Sequence, residues 1–284
     1  MSKGPTGFVF AGGGSLGAVQ VGMLRALLEA GCSPDFVVGA SAGAINAAYF
    51  AGAPDLDGVA RLARIWSGLK RADIFPMSVS RVLGLLRHPD YIVEPTGLRR
   101  MIETHLEFAN FEDARLPLHI MATDQQGMSV RLSNGPVVDA ILASAAIPGV
   151  FPTVPIGGRH LMDGAIAANT PLRLAVELGA TRIVVLPTGY ACALDGPPKG
   201  VIGRTLHAVT LLIAWQLMQE LEALPHTIDV HMAPALCPLD VSPYNFSAAP
   251  QLIARATETT RKWIAEGGLE RRSHAHELSA HHHH

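Results

Sequence analysis

Residues 36–48 constrain this chain more than any other stretch. Phe36-Val37-Val38 is a short apolar run with a β-branched pair, which reads as a buried strand. It passes at once into Gly39-Ala40-Ser41-Ala42-Gly43, and the small residues of Ala44-Ile45-Asn46-Ala47-Ala48 follow as a helix. Gly-x-Ser-x-Gly between a strand and a helix is the setting of a nucleophile elbow. A serine at the apex of so sharp a turn is held in a strained backbone conformation, so its neighbours must be small. Gly39 and Gly43 meet that demand, and Ala40 and Ala42 crowd it little. The hydroxyl then projects from the carboxyl end of a sheet, over a helix amino terminus that favours developing negative charge. The competing explanation is a Gly/Ala/Ser-rich turn that lets a helix pack close to a strand.

A second glycine-rich turn lies upstream. Gly7-Phe8-Val9-Phe10-Ala11 reads as a buried strand, Gly12-Gly13-Gly14-Ser15-Leu16-Gly17 as a loop, and Ala18 to Ala30 as a helix closed by Gly31. Val19, Met23, Leu24, Leu27 and Leu28 give that helix its apolar spacing. Gly12, Gly14 and Gly17 fit the dinucleotide pattern G-x-G-x-x-G, but that fold needs an acid at the end of the second strand, where this chain has Gly39-Ala40-Ser41. A phosphate-binding P-loop is excluded because no Lys-Ser or Lys-Thr follows. Neighbouring parallel strands offer the loop a better use: they would set the Gly13 and Gly14 amides beside Ser41, as an oxyanion hole.

The 284 residues suit one α/β domain over residues 1–266, with residues 71–95 as a surface insertion or cap and residues 267–284 as a polar, mobile tail. The tail ends in His281 to His284, read as the remains of a purification tag. Within the insertion, Ser80 to Arg87 is a short amphipathic piece, read as packing on the body ahead of touching a membrane. A net charge of -2 gives no electrostatic case for nucleic acid as a partner. Cys32, Cys192 and Cys237 are far apart and lack metal spacing, as reduced thiols of a cytoplasmic protein would be. Met1 to Gly7 shows no apolar leader, so no signal peptide is expected, and the uncharged run Thr205 to Gln219 is too short to span a bilayer.

Elsewhere, Leu56 to Leu69 and Thr96 to Leu106 read as helices, the second capped by Thr96. Leu118 to Asp124 and Ser129 to Leu132 read as a hairpin carrying a structural His119. After a proline-broken, small-residue helix comes Asp163-Gly164-Ala165, an acid at a turn that by itself reads as an Asp-Gly bend, as Asp195-Gly196 does. A Ser, Asp, His triad in hydrolase order needs a histidine beyond Asp163. His207 falls inside a long helix from Gly203 to Leu224, His226 at its end, and His231 within the strand Ile228 to Met232. None stands in a catalytic-loop setting, which leaves open a Ser–Asp pair working without histidine.

In order and spacing, Phe10 to Gly17, Gly39 to Gly43, Ala143 to Pro152 and Asp163 to Ala165 resemble the patatin-like phospholipases, over roughly Gly7 to Arg182. The resemblance implies a three-layer α/β/α sandwich around a mostly parallel sheet. It also implies a lipid acyl hydrolase with Ser41 as nucleophile, Asp163 as general base and Gly12, Gly13, Gly14 and Gly17 as the oxyanion-hole loop. Gly39, Gly43 and Gly164 would support the elbow and the base. No cofactor or metal is implied, the substrate is an acyl-ester lipid, and peripheral membrane contact is compatible with it. The family usually carries Arg or Lys where this chain has Leu16, which favours the broader class of acyl ester over an anionic headgroup. Two other readings stand beside it: a non-catalytic lipid- or partner-binding protein of the same fold, and an acyltransferase using the same serine. Oligomeric state is not legible in the sequence.

Overall fold

The computed structural model describes residues 4–75, 91–189 and 200–274, apart from 238, 240 and 243. Ser80 to Arg87, Cys192, Asp195-Gly196 and His281 to His284 lie outside the described residues.

Alternating burial on two faces explains the layers. In β1 (Thr6–Phe10), Phe8 and Phe10 join the core on one side of the sheet and Val9 the core on the other. β2 (Phe36–Ala40) divides in the same way, Val37 from Val38. Both faces are therefore covered. Helices α1 (Ala18–Glu29), α2 (Ala42–Gly52) and α3 (Leu56–Gly68) pack on the first, with Leu24, Leu27 and Phe50 fully or nearly fully buried. Truncating such a side chain to alanine costs about 2–5 kcal/mol.

The remaining elements follow in chain order. They are a short turn of helix, Arg71–Ile74, then α4 (Thr96–His105), β3 (Leu118–Asp124), β4 (Ser129–Leu132), α5 (Val137–Ser144), β5 (Val154–Ile156), β6 (Arg159–Asp163) and a second short turn of helix, Ala165–Ala168. Then come α6 (Leu172–Glu177), β7 (Arg182–Leu186), α7 (Gly200–Ala223), β8 (Asp229–Met232) and α8 (Ala249–Ala265). The sheet runs β5-β6-β3-β2-β1-β7-β8, with β4 also on β3. The five strands from β3 to β8 in that order are parallel, and β4, β5 and β6 pair antiparallel. Leu172, Leu217 and Leu221 bring α6 and α7 onto the second face. The three-layer α/β/α sandwich with a mostly parallel sheet is the architecture found.

β1 and β2 are adjacent and in register, with Phe10 opposite Gly39. The turns after both strands therefore share one end of the sheet. A buried amide network fixes that end. The Gln20 amide donates to Ala11 O and Leu186 O, both at 2.8 Å. Asn46 donates to Gly17 O at 2.8 Å and accepts from the Trp66 indole at 2.8 Å. Every polar atom of a network this deep must find a partner, since leaving one unpaired costs about 1–3 kcal/mol.

Three details differ from the sequence reading. Pro95, not Thr96, occupies the cap position of α4, and its carbonyl takes the Arg99 amide at 2.8 Å. The long helix begins at Gly200, three residues earlier than read. The chain beyond Gly267 does not leave the body at once: Ser273 N donates to Val230 O at 2.7 Å, and Met232 N donates to Ser273 Oγ at 2.9 Å. The free edge of β8 holds that stretch in place, because unpaired strand amides and carbonyls need partners. Among the described residues no helix is long and apolar enough to cross a membrane.

Candidate active site

Ser41 joins β2 to α2 at φ 54° and ψ −124°, and is the single non-glycine residue with positive φ among those described. Such a conformation costs on the order of 1–3 kcal/mol and persists where the surroundings enforce it. The enforcement is steric. A Cβ at Gly39 would collide with the carbonyl of Gly43, and one at Gly43 with the carbonyl of Phe10. Only glycine at both positions lets helix and strands close on the serine.

Asp163 arrives from the other side. It ends β6, opposite Ala122 of β3, and this pairing sets its carboxylate against the elbow. Ser41 Oγ donates to Asp163 Oδ2 at 2.8 Å, while Ala165 N donates to Asp163 Oδ1 at 2.8 Å. Ser41 and Asp163 are buried. Burial pushes the Asp163 carboxyl up to about 6; the bonds from Ala165 and Ser41 pull the other way and lose. Gly164 makes this approach possible, since a Cβ there would collide with Met121 O.

Ser144, at the end of α5, is a supporting residue that sequence reasoning missed. Its hydroxyl accepts from Ser41 N at 2.8 Å and donates to Met121 O at 2.5 Å. Its carbonyl takes the Gly164 amide at 3.0 Å. One residue thus ties the Ser41 backbone to the turn that follows Asp163. Ser144→Ala orphans the buried Ser41 amide and Met121 carbonyl. The expected outcome is a loss of about 1–3 kcal/mol in denaturant titration, with kcat lowered more than KM is changed.

The glycine loop divides by function. Gly12 N donates to Asn169 O at 3.1 Å, so this amide is taken. Its lack of a side chain is still required: a Cβ would stand 3.1 Å from Ser41 Cβ. Gly17 packs against Trp66 and Ala42. Gly13 and Gly14 precede the first bond of the helical turn, from Leu16 N to Gly13 O at 3.2 Å, and no protein acceptor meets their amides among the described residues. Of the four loop glycines, these are the two with donors to offer.

The other candidate bases that the structure describes lie elsewhere, and the side chain of His207 lies outside the described residues. His231 is buried in β8 between Asp229 Oδ2 at 2.8 Å and Arg271 O at 3.1 Å. His226 is exposed, beside Arg272. Burial holds His119 down at about 4. None of the three bonds to Ser41 or Asp163. In front of the serine, Ala42, Ile45, Trp66, Leu98, Phe151 and Phe246 line a narrow apolar pocket of about 60 Å³.

The profile of the patatin-like phospholipases matches residues 8–176, from β1 to α6, and so takes in the elbow, the glycine loop and Asp163. The chain belongs to the patatin-like phospholipase family. A patatin-like phospholipase domain-containing protein of Caenorhabditis elegans is 32% identical over 190 residues, which are 65% of this chain and 17% of that protein. Neuropathy target esterase sws of Drosophila melanogaster is 29% identical over 186 residues, 64% of this chain and 13% of that one. The chain thus spans under a fifth of the length of these relatives. The crystal structure of VipD from Legionella pneumophila has the same fold, with a TM-score of 0.50 at 16% identity, over 94% of this chain and 67% of that one. In this patatin-like chain Leu16 packs partly buried against the first core face, which an Arg or Lys there would have to vacate.

Proposed function

We propose that this chain is a lipid acyl hydrolase that cleaves carboxylic or thioesters of fatty acids through a Ser41–Asp163 dyad. The bond from Ser41 Oγ to Asp163 Oδ2 at 2.8 Å carries the reading. Family membership, the strained elbow and the apolar pocket support it.

Asp163 accepts the Ser41 proton as Oγ forms a bond to the ester carbonyl carbon. The carbonyl π electrons move to oxygen, and the Gly13 and Gly14 amides stabilise that oxyanion. As the carbonyl reforms, the C–O bond to the alcohol breaks, and Asp163 returns the proton to the departing oxygen. Water then gives a proton to Asp163 and attacks the acyl-serine. Collapse of this second intermediate frees the fatty acid, and the proton returns to Ser41 Oγ. A carboxylate raised to about 6 is a stronger base than an ordinary one and is still ionised at neutral pH. The Gly12 and Gly17 positions act through close packing, and Gly39, Gly43 and Gly164 through the approach they permit. We place the reaction in the cytoplasm, with peripheral contact to membranes for delivery of the lipid.

Intact-mass labelling with an alkyl fluorophosphonate tests this directly. A single adduct mapped to Ser41, together with hydrolysis of p-nitrophenyl acyl esters, is expected. Absence of both, in protein that melts cooperatively, would overturn the enzyme reading in favour of lipid binding.

A further inference from the structure

The pocket at Ser41, at about 60 Å³, is too small to enclose a long acyl chain, and a larger space adjoins it. A groove of about 740 Å³ lies between α3 and α4, on the far side of the same side chains. Tyr49, Leu62, Ile65, Leu69 and Met101 line both spaces. Tyr49 stands eight positions after Ser41 along α2, a rise of ~12 Å. A short acyl group ends before this partition, and a long one must pass it.

The groove combines apolar surface with polar groups, among them Asp73, Thr104 and His105. Ala53, Leu62, Ile65, Leu69, Met101 and Leu106 give it apolar surface, while Arg61, Arg64 and Arg100 stand on it from α3 and α4. Arginine stems cover apolar surface and keep their charge in water, and Arg61 is held out by Glu107 at 3.4 Å. Side-chain contacts hold the partition together. The Tyr49 hydroxyl spreads its contacts over Met101 O at 3.2 Å, Met101 Sδ at 3.4 Å and Ile102 O at 3.4 Å, the two to oxygen being long for hydrogen bonds. Met101 is unbranched and adapts its shape readily.

We propose that the α3–α4 groove is a second compartment of the acyl site, which takes the distal methylenes of a long fatty acyl chain past a Tyr49–Met101 partition. This rests on the hydrolase reading. The partition then sets chain-length preference, with Ser41 and Asp163 unchanged in their roles.

The test compares p-nitrophenyl butyrate and palmitate. Met101→Ala opens the partition and should raise the palmitate-to-butyrate ratio of kcat/KM at least fivefold. Gly68→Phe obstructs the groove from outside; Gly68 lines it, and a Cβ there meets nothing within 4 Å. That variant should lower the ratio at least fivefold, and it decides the matter alone if Met101→Ala fails to fold. Ratios within twofold of the wild type for folded variants would overturn the proposal while leaving the hydrolase intact. If the wild type cleaves neither ester, the hydrolase reading fails separately. Quenching of Trp66 by nitroxide-labelled stearate then judges the groove. Binding weakened at least fivefold by Gly68→Phe supports it, and unchanged binding refutes it.

Discussion

Ser41→Ala should lower kcat/KM for an acyl ester by about five orders of magnitude, the scale on which nucleophile removal acts in serine hydrolases. That corresponds to about 7 kcal/mol of transition-state stabilisation. The substitution deletes the atom that attacks and leaves the glycine-loop amides and the apolar pocket in place, so substrate binding should survive. Alanine is the right probe because it keeps a Cβ at φ 54° and so retains the elbow's strain. Ser41→Gly would be equally inactive but should melt higher than Ser41→Ala, since glycine adopts positive φ without penalty. Steady-state kinetics on both variants, with fluorophosphonate labelling and thermal melts, checks the pair. Residual activity in Ser41→Ala within a hundredfold of wild type would mean another nucleophile does the chemistry.

The elbow was legible because strand, apex and helix are consecutive and Gly39 makes room for the Gly43 carbonyl four positions on; that Gly43 also makes room for the Phe10 carbonyl of β1 is a contact between distant parts of the chain. The side-by-side turns of β1 and β2 were legible at one remove, from the habit of consecutive parallel strands to pair. Asp163 was not legible from its neighbours, since an Asp-Gly turn is common; only the resemblance singled it out. What places it is the antiparallel pairing of β6 with β3 across forty residues of chain. Ser144 was hidden for the same reason. Ser144 falls within the Ala143 to Pro152 motif, but that motif gives it no role, and its two partners, Ser41 and Met121, come from other elements. The division of the glycine loop depends on the Asn169 carbonyl, which claims Gly12 and leaves Gly13 and Gly14. The stretch after Gly267 reads as polar and loose, yet the edge of β8 needed hydrogen-bond partners and found them there.

Asp163→Asn should separate activity from stability. In the proposed dyad hydrolysis requires the ionised carboxylate as base, so wild-type kcat/KM should rise with pH through about 6 and level off above it. The asparagine variant lacks the base and should lose about four orders of magnitude at pH 7.5, the scale seen when an acid member of a catalytic set is neutralised. Stability should move the opposite way. The folded-state value of about 6 lies above the ordinary 3.8. Between those values the unfolded chain has released a proton that the folded protein retains. The fold is therefore progressively destabilised as pH rises through this window, and the whole penalty is present above it. A shift of that size bounds the effect at about 3 kcal/mol. Asparagine carries no such penalty and keeps the local bonds, its carbonyl accepting from Ala165 N and its amide donating to Ser41 Oγ. Asp163→Asn should accordingly melt higher than wild type at pH 7.5, with the gap closing toward pH 4. A variant that melts lower at both pH values would show that the carboxylate is a structural anchor and not a base held at a cost. The expected inversion has one physical origin: the burial that would make Asp163 a competent base near neutral pH is the same burial that makes its charge unfavourable in the fold.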